Sequence, residues 1–213
     1  MTNQIYVACL ASYNNGVLHG EWIDASADVD EMWEGVRRVL RTSKFPNVEV
    51  RCHDCAGIGE APCTASKCAT CKGTGEVPSA EEWAIHDFND EDGIFEGLGE
   101  YCGLQAVANR VAIFERAQAE LGDDGHKIVF EYWDHVGDLP DDASEAVEDA
   151  RDAYAGKYES WTAWAEEWLE ETGTLEAIPE NLRHYFDYEA YGRDARISGD
   201  LFSTDGGYFF YNH

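Results

Sequence analysis

Positive charge is scarce in this sequence: 15 Lys and Arg stand against 43 Asp and Glu, a formal charge of -28 over 213 residues. A chain so short of cations is repelled by phosphate as a whole, so nucleic acid is not an expected direct partner. Long apolar runs are missing too. None approaches the roughly 18 residues of a membrane span, and the N-terminus has neither the basic start nor the apolar core of a secretory signal. A cytoplasmic location away from membranes is expected. There is no GxSxG, HExxH, P-loop or DxDxDG pattern, and the pairs His86-Asp87 and Asp134-His135 are sequence neighbours, which rarely face one another; His184 with Asp187 is the remaining acid/base candidate. No catalytic residues are expected, and no repeat of domain size is present.

What the chain does have is material for a core. Seven Trp, eleven Tyr and nine Phe are enough to fold a domain of this length. The carboxylates lie among these residues rather than in a terminal run, so the acidity belongs to folded surface. Such a surface serves solubility, salt adaptation or a basic partner, and composition does not choose among them. DNA carries one charge per roughly 1.7 Å of axis, so the net charge equals that of about 48 Å, some 14 base pairs, of duplex.

Along the chain, alternation of Ile5, Val7 and Cys9, a turn at Asn14-Asn15-Gly16 and a run through Trp22 and Ile23 predict a β-hairpin. Asp28, with Glu31 as capping partner, opens a helix through Met32, Val36, Val39 and Leu40 that ends at Arg41. Residues 46–78, bracketed by Pro46 and Pro78, are rich in Cys and Gly and poor in large apolar side chains, which marks an insertion; Glu81 to Phe88 then returns as a strand. Leu104, Val107, Val111 and Phe114 predict a helix ending near Gly122, and Ile128 to Val136 a second helix or a strand. Residues 138–171 hold twelve acidic residues against Arg151 and Lys157, with Trp161, Trp164, Trp168 and Leu169 at helical spacing. Two amphipathic helices with acidic outer faces follow, the second stopped by Gly173. Pro179 starts a short helix with Leu182, Tyr185 and Phe186, and 200–211 is two strands around a glycine turn. The expected organisation is α+β: an N-terminal domain, 1–97, interrupted by the module 46–78, a helical middle, 98–139, and a C-terminal α+β domain, 140–213.

Two copies of CxxCxGxG, at Cys52, Cys55, Gly57, Gly59 and Cys68, Cys71, Gly73, Gly75, give the strongest local signal. Each CxxC offers two thiolates from one tight turn, and two facing turns make the tetrahedral sulfur set of a closed structural Zn²⁺ site. The pair resembles the zinc knuckles of DnaJ-type cysteine-rich domains, with material for one site per chain. A redox-cycling CxxC and simple reduced thiols are the alternatives. Cys63 reads as a spare thiol, His53 as a poorer ligand, and Cys9 and Cys102 as small core residues. Arg37, Arg38, Arg41, Lys44 and Arg51, a third of all cations, cluster just before the module and read either as a solvated face or as a nucleic-acid contact. On these features alone, an acidic zinc-containing regulatory or nucleic-acid-associated adaptor is the alternative to an inhibitor.

Three stretches resemble the ArdA antirestriction family: IYVACLASYNNG at 5–16 with GEWID at 20–24; AEEWAIHDF at 80–88; and LEETG at 169–173 through IPENL at 178–182 and YFDYEAYGRD at 185–194. They run in order through nearly the whole chain. The resemblance implies an elongated, curved protein of three small domains that dimerises through its C-terminal region and mimics bent DNA. Its implied target is the DNA-binding groove of type I restriction-modification enzymes, formed by their DNA-binding and methyltransferase subunits. Candidate mimic residues are Asp141, Asp142, Glu145, Glu148, Asp149, Asp152, Glu166, Glu167, Glu170, Glu171 and Glu180. The insertion between Phe45 and Ser79 departs from the family pattern, which assigns it no task.

Overall fold

The computed structural model of the protein describes residues 3–61, 64 and 66–212. It is a mixed α+β structure of helices and small antiparallel sheets, divided into two compact units, Met1–Ala112 and Ile113–His213.

In the first unit β1 (Gln4–Cys9) leads into a helical turn, α1 (Leu10–Asn14), before β2 (Gly20–Asp24) pairs back antiparallel, Ile5 opposite Ile23. The expected hairpin is present, but its connection is a turn of helix that buries Ser12, not a tight Asn-Gly turn. Asp28 caps α2 (Val29–Arg41) by accepting from the Asp30 amide, while Glu31 accepts from the Ser26 hydroxyl rather than closing a capping box. Met32, Val36, Val39 and Leu40 form the buried face of α2, which packs on β1 and β2. Gly35 lets it sit close, since a Cβ there would fall 2.5 Å from Ile23 Cδ1. β3 (Val48–Arg51) and β4 (Glu76–Ser79) then form a two-stranded ribbon carrying the insertion, and β5 (Trp83–Asn89) takes the other edge of β1. The β1–β5 register slips between Tyr6 and Val7, from Asp87 to Ile85, so His86 is the bulged residue.

α3 (Gly103–Leu121) contains the boundary between the units. Residues 125–136 are helical, α4 (Gly125–Val136), which resolves the helix-or-strand ambiguity. α5 (Ala143–Ala153) is capped by Asp142 and runs straight into β6 (Tyr154–Lys157), a strand that periodicity did not reveal. α6 (Trp161–Glu171) is capped by Ser160 and stopped by Gly173 at φ 65°. The helix after Pro179, α7 (Glu180–Arg183), is a single turn that leaves Leu182 and Tyr185 exposed. α8 (Tyr188–Ser198), β7 (Leu201–Ser203) and β8 (Tyr208–Tyr211) complete the chain, with sheet order β6-β8-β7.

That sheet is buried on both faces, because neighbouring Phe209 and Phe210 point opposite ways and both are fully buried. Phe210, with Phe202 and Tyr208, packs into a core with Ile113, Ala117, Val129, Val147 and Ala150 from α3, α4 and α5. Phe209, with Leu201, packs with Trp164 and Ala165 of α6, against which Tyr188 and Tyr191 of α8 rest. Residues on both sides of the expected break at 139/140 therefore share one core. Phe210→Ala should cost about 3–5 kcal/mol of stability, read as a fall in the urea midpoint; a shift of under about 1 kcal/mol would contradict this account of the sheet.

Candidate metal centre and acidic surface

β3 and β4 pair up to Arg51 opposite Glu76, and the chain between them folds into two like turns. Cys52 and Cys68 stand sixteen residues apart, as do Cys55 and Cys71, and the backbone repeats this offset. The Cys52 amide donates to the Gly75 carbonyl, and the Cys68 amide to the Gly59 carbonyl. Arg51 lies opposite Glu76, and Glu60 opposite Lys67. Ala56 and Lys72 hold φ 51° and 55°. The module is a pseudo-twofold pair of knuckles. The sequence displays the doubled motif, but only the pairing makes it a dyad.

The four Sγ atoms lie within 4.8 Å of one another and all four cysteines are buried. Cys52 Sγ is 3.9 Å from Cys68 Sγ, and Cys55 Sγ is 3.7 Å from Cys71 Sγ. A tetrahedron with metal–sulfur bonds of about 2.3 Å has edges of about 3.8 Å, so the donor set fits a tetrathiolate metal ion. Two backbone amides support it: Gly59 N–H donates to Cys55 Sγ at 3.2 Å, and Gly75 N–H to Cys71 Sγ at 3.3 Å. These glycines also permit the contact between knuckles. A Cβ on Gly59, at φ 82°, would lie 2.6 Å from the Gly73 carbonyl oxygen, and one on Gly75 would meet the Gly57 carbonyl in the same way.

Burial pushes the Cys52 thiol up to about 11. Burial opposes ionisation of Cys71 as well, yet the amides of Gly75 and Gly73 and the thiols of Cys55 and Cys68 bring it down to about 6. Thr70 donates to Asp54 across the two turns, and exposed His53 pairs with Asp54 at 3.2 Å, outside the sulfur set. Cys63 lies outside the described residues. Cys9 is buried, bonded to Ser43 Oγ, and Cys102 is half-buried.

All eleven candidate mimic carboxylates are exposed. On α5 they are partly engaged: Asp142 caps the helix, Glu148 meets Arg116 at 3.5 Å, and Asp152 pairs with Arg151 at 3.1 Å. Arg116 and Arg151 also bind Glu120, an α3 carboxylate that sequence reasoning passed over although Arg116 stands four residues before it. On α6, Glu166, Glu167, Glu170 and Glu171 make no ion pair among the described residues. Glu180 sits in the first turn of α7. The histidines of the acid/base candidate pairs have structural neighbours: His86 pairs with Glu100 at 3.1 Å and packs edge-on to Tyr13, His135 stacks on Phe202 at 3.9 Å, and His184 lies against Tyr185. No described helix is long and apolar enough to cross a membrane.

The protein thus combines an α+β fold, exposed carboxylates and one buried thiol cluster. A family model for the ArdA antirestriction protein matches residues 5–210, and the chain belongs to that family. Antirestriction function by DNA mimicry, directed at restriction enzymes, comes with that membership. No curated protein matches the chain.

Gly59→Ala should bind Co²⁺ at least about tenfold more weakly, read from the thiolate charge-transfer absorption, because the two knuckles can no longer close. Acidification should release the metal, since each ligand must lose a proton to bind; an affinity independent of pH would contradict the thiolate assignment.

Proposed function

We propose that the protein inhibits type I restriction-modification enzymes by filling their DNA-binding groove, built by the DNA-binding and methyltransferase subunits, with carboxylates in place of phosphates. Family membership supplies the antirestriction role. The observation that carries the finer reading is the row of four exposed glutamates on α6 that make no ion pair among the described residues. Like charges at neighbouring helical positions are destabilising, so a surface optimised for its own stability would pair them. A groove lined with Lys and Arg removes that repulsion on docking and needs no base to read, so inhibition is independent of recognition sequence.

The three-part, elongated form and the C-terminal dimer belong to the same proposal. Exposed Leu182, Tyr185 and Ile197, at 48, 77 and 75% of their full surface, support an interface between copies within 140–213. Zinc is the proposed metal, one per chain, held by Cys52, Cys55, Cys68 and Cys71, because a closed four-sulfur tetrahedron is its usual structural site. It would order a segment too poor in large apolar residues to order itself, and it leaves no open position for catalysis.

Purified protein should compete with duplex DNA for a type I methyltransferase. Changing Glu166, Glu167, Glu170 and Glu171 together to Gln should weaken inhibition at least about tenfold, while each single change alters it by less than about fivefold. Binding unaffected by saturating DNA would refute the mimic reading. Elemental analysis should find one zinc per chain, lowered by Cys68→Ser and unchanged by Cys63→Ser. Deleting residues 47–77 should leave a dimer in solution, and a monomer would place the interface in the module.

A further inference from the structure

Each knuckle carries a cation that the sulfur set does not require. Arg51 immediately precedes Cys52 and Lys67 immediately precedes Cys68, so the two obey the same sixteen-residue offset as the cysteines. Both side chains fold over the first glycine of their own turn. A Cβ on Gly57 would lie 2.9 Å from Cγ and Nε of Arg51, and one on Gly73 3.2 Å from Cδ of Lys67. Each therefore lies along the backbone that presents the two thiols of its knuckle. Glu76 and Glu60 are their cross-strand neighbours, yet neither cation closes an ion pair among the described residues. Residues 37–72 hold seven Lys and Arg against three Asp and Glu, an excess found in a chain of net charge -28.

Four thiolates around a divalent ion carry a net charge of about -2. A cation held beside that centre stabilises it, and surrounding carboxylates do the opposite. We infer that Arg51 and Lys67 are paired counter-charges of the metal–thiolate centre, one per knuckle, that raise its affinity for metal in an acidic protein. This rests on the zinc reading above. It also accounts for part of the basic cluster without a nucleic-acid partner.

The test compares the full chain with Arg51→Gln, Lys67→Gln, the double variant and Arg51→Lys, titrating zinc against a chromogenic chelator at low and high salt. The double variant should lose about tenfold or more in zinc affinity at low salt, and most of that difference should vanish in 1 M salt, where screening acts over about 3 Å. Arg51→Lys should keep near-normal affinity, because it keeps the charge. Unchanged affinity in the double variant would overturn the inference, as would a loss insensitive to salt and shared by Arg51→Lys, which would mark a packing role. Unchanged zinc affinity with loss of duplex DNA binding would overturn it in favour of a phosphate contact. Unaltered protein that takes up no zinc would sink the zinc reading and this inference together, an outcome distinct from the others.

Discussion

Repulsion among its own carboxylates is the constraint that most of this chain has to withstand. With 43 acidic residues, the surface cannot be neutralised from within by 15 cations. Two features offset it. Apolar burial is concentrated where one element serves two layers, as with Phe209 and Phe210 on opposite faces of one strand. Carboxylates are also placed where the backbone favours negative charge: Asp28, Asp142 and Asp187 each accept amide hydrogen bonds at a helix N-terminus. A cap of this kind raises the acidity of the surface while stabilising the helix beneath it.

The knuckle module follows a different logic. Among the described residues its apolar neighbours are Val77 and partly buried Val50, so the sulfur cluster takes the place of a hydrophobic core. It is tied to the first unit by the β3–β4 ribbon, by the Asn47 amide on the Ser79 carbonyl and by the Ala80 amide on the Leu40 carbonyl. Its strand β4 also packs on α2, whose buried face holds the sheet of β1, β2 and β5.

Much of this was legible in the sequence, and the parts that were not share physical causes. Helices with a strong apolar stripe and a polar cap, such as α2, α5 and α6, were visible from spacing alone, as was the pairing of two CxxC turns that the fold brings into one cluster. β6 was hidden because Tyr-Ala-Gly-Lys has no alternation and follows a helix without a break, and only pairing with β8 makes it a strand. α8 was hidden because its buried residue is Gly192, whose Cβ would meet the Trp161 carbonyl at 2.5 Å; that contact comes from a partner helix, not from an apolar stripe. The bulge at His86 and the dyad of the knuckle are register facts, and register is set between segments.

The same repulsion ranks the candidate contact surfaces. A carboxylate already paired within the protein offers a groove of Lys and Arg less, since the internal ion pair must be given up or shared when the partner docks. On α5, Glu148 and Asp152 are bound into a network with Arg116, Arg151 and Glu120. On α6, Glu166, Glu167, Glu170 and Glu171 carry no such partner among the described residues, and Glu167 and Glu171 stand close enough to Tyr158 to help burial hold its hydroxyl protonated. Their mutual repulsion is present in the free protein and relieved only by an external cation. Under the mimic reading, α6 therefore supplies more of the binding free energy per carboxylate than α5, although α5 carries as many acidic side chains.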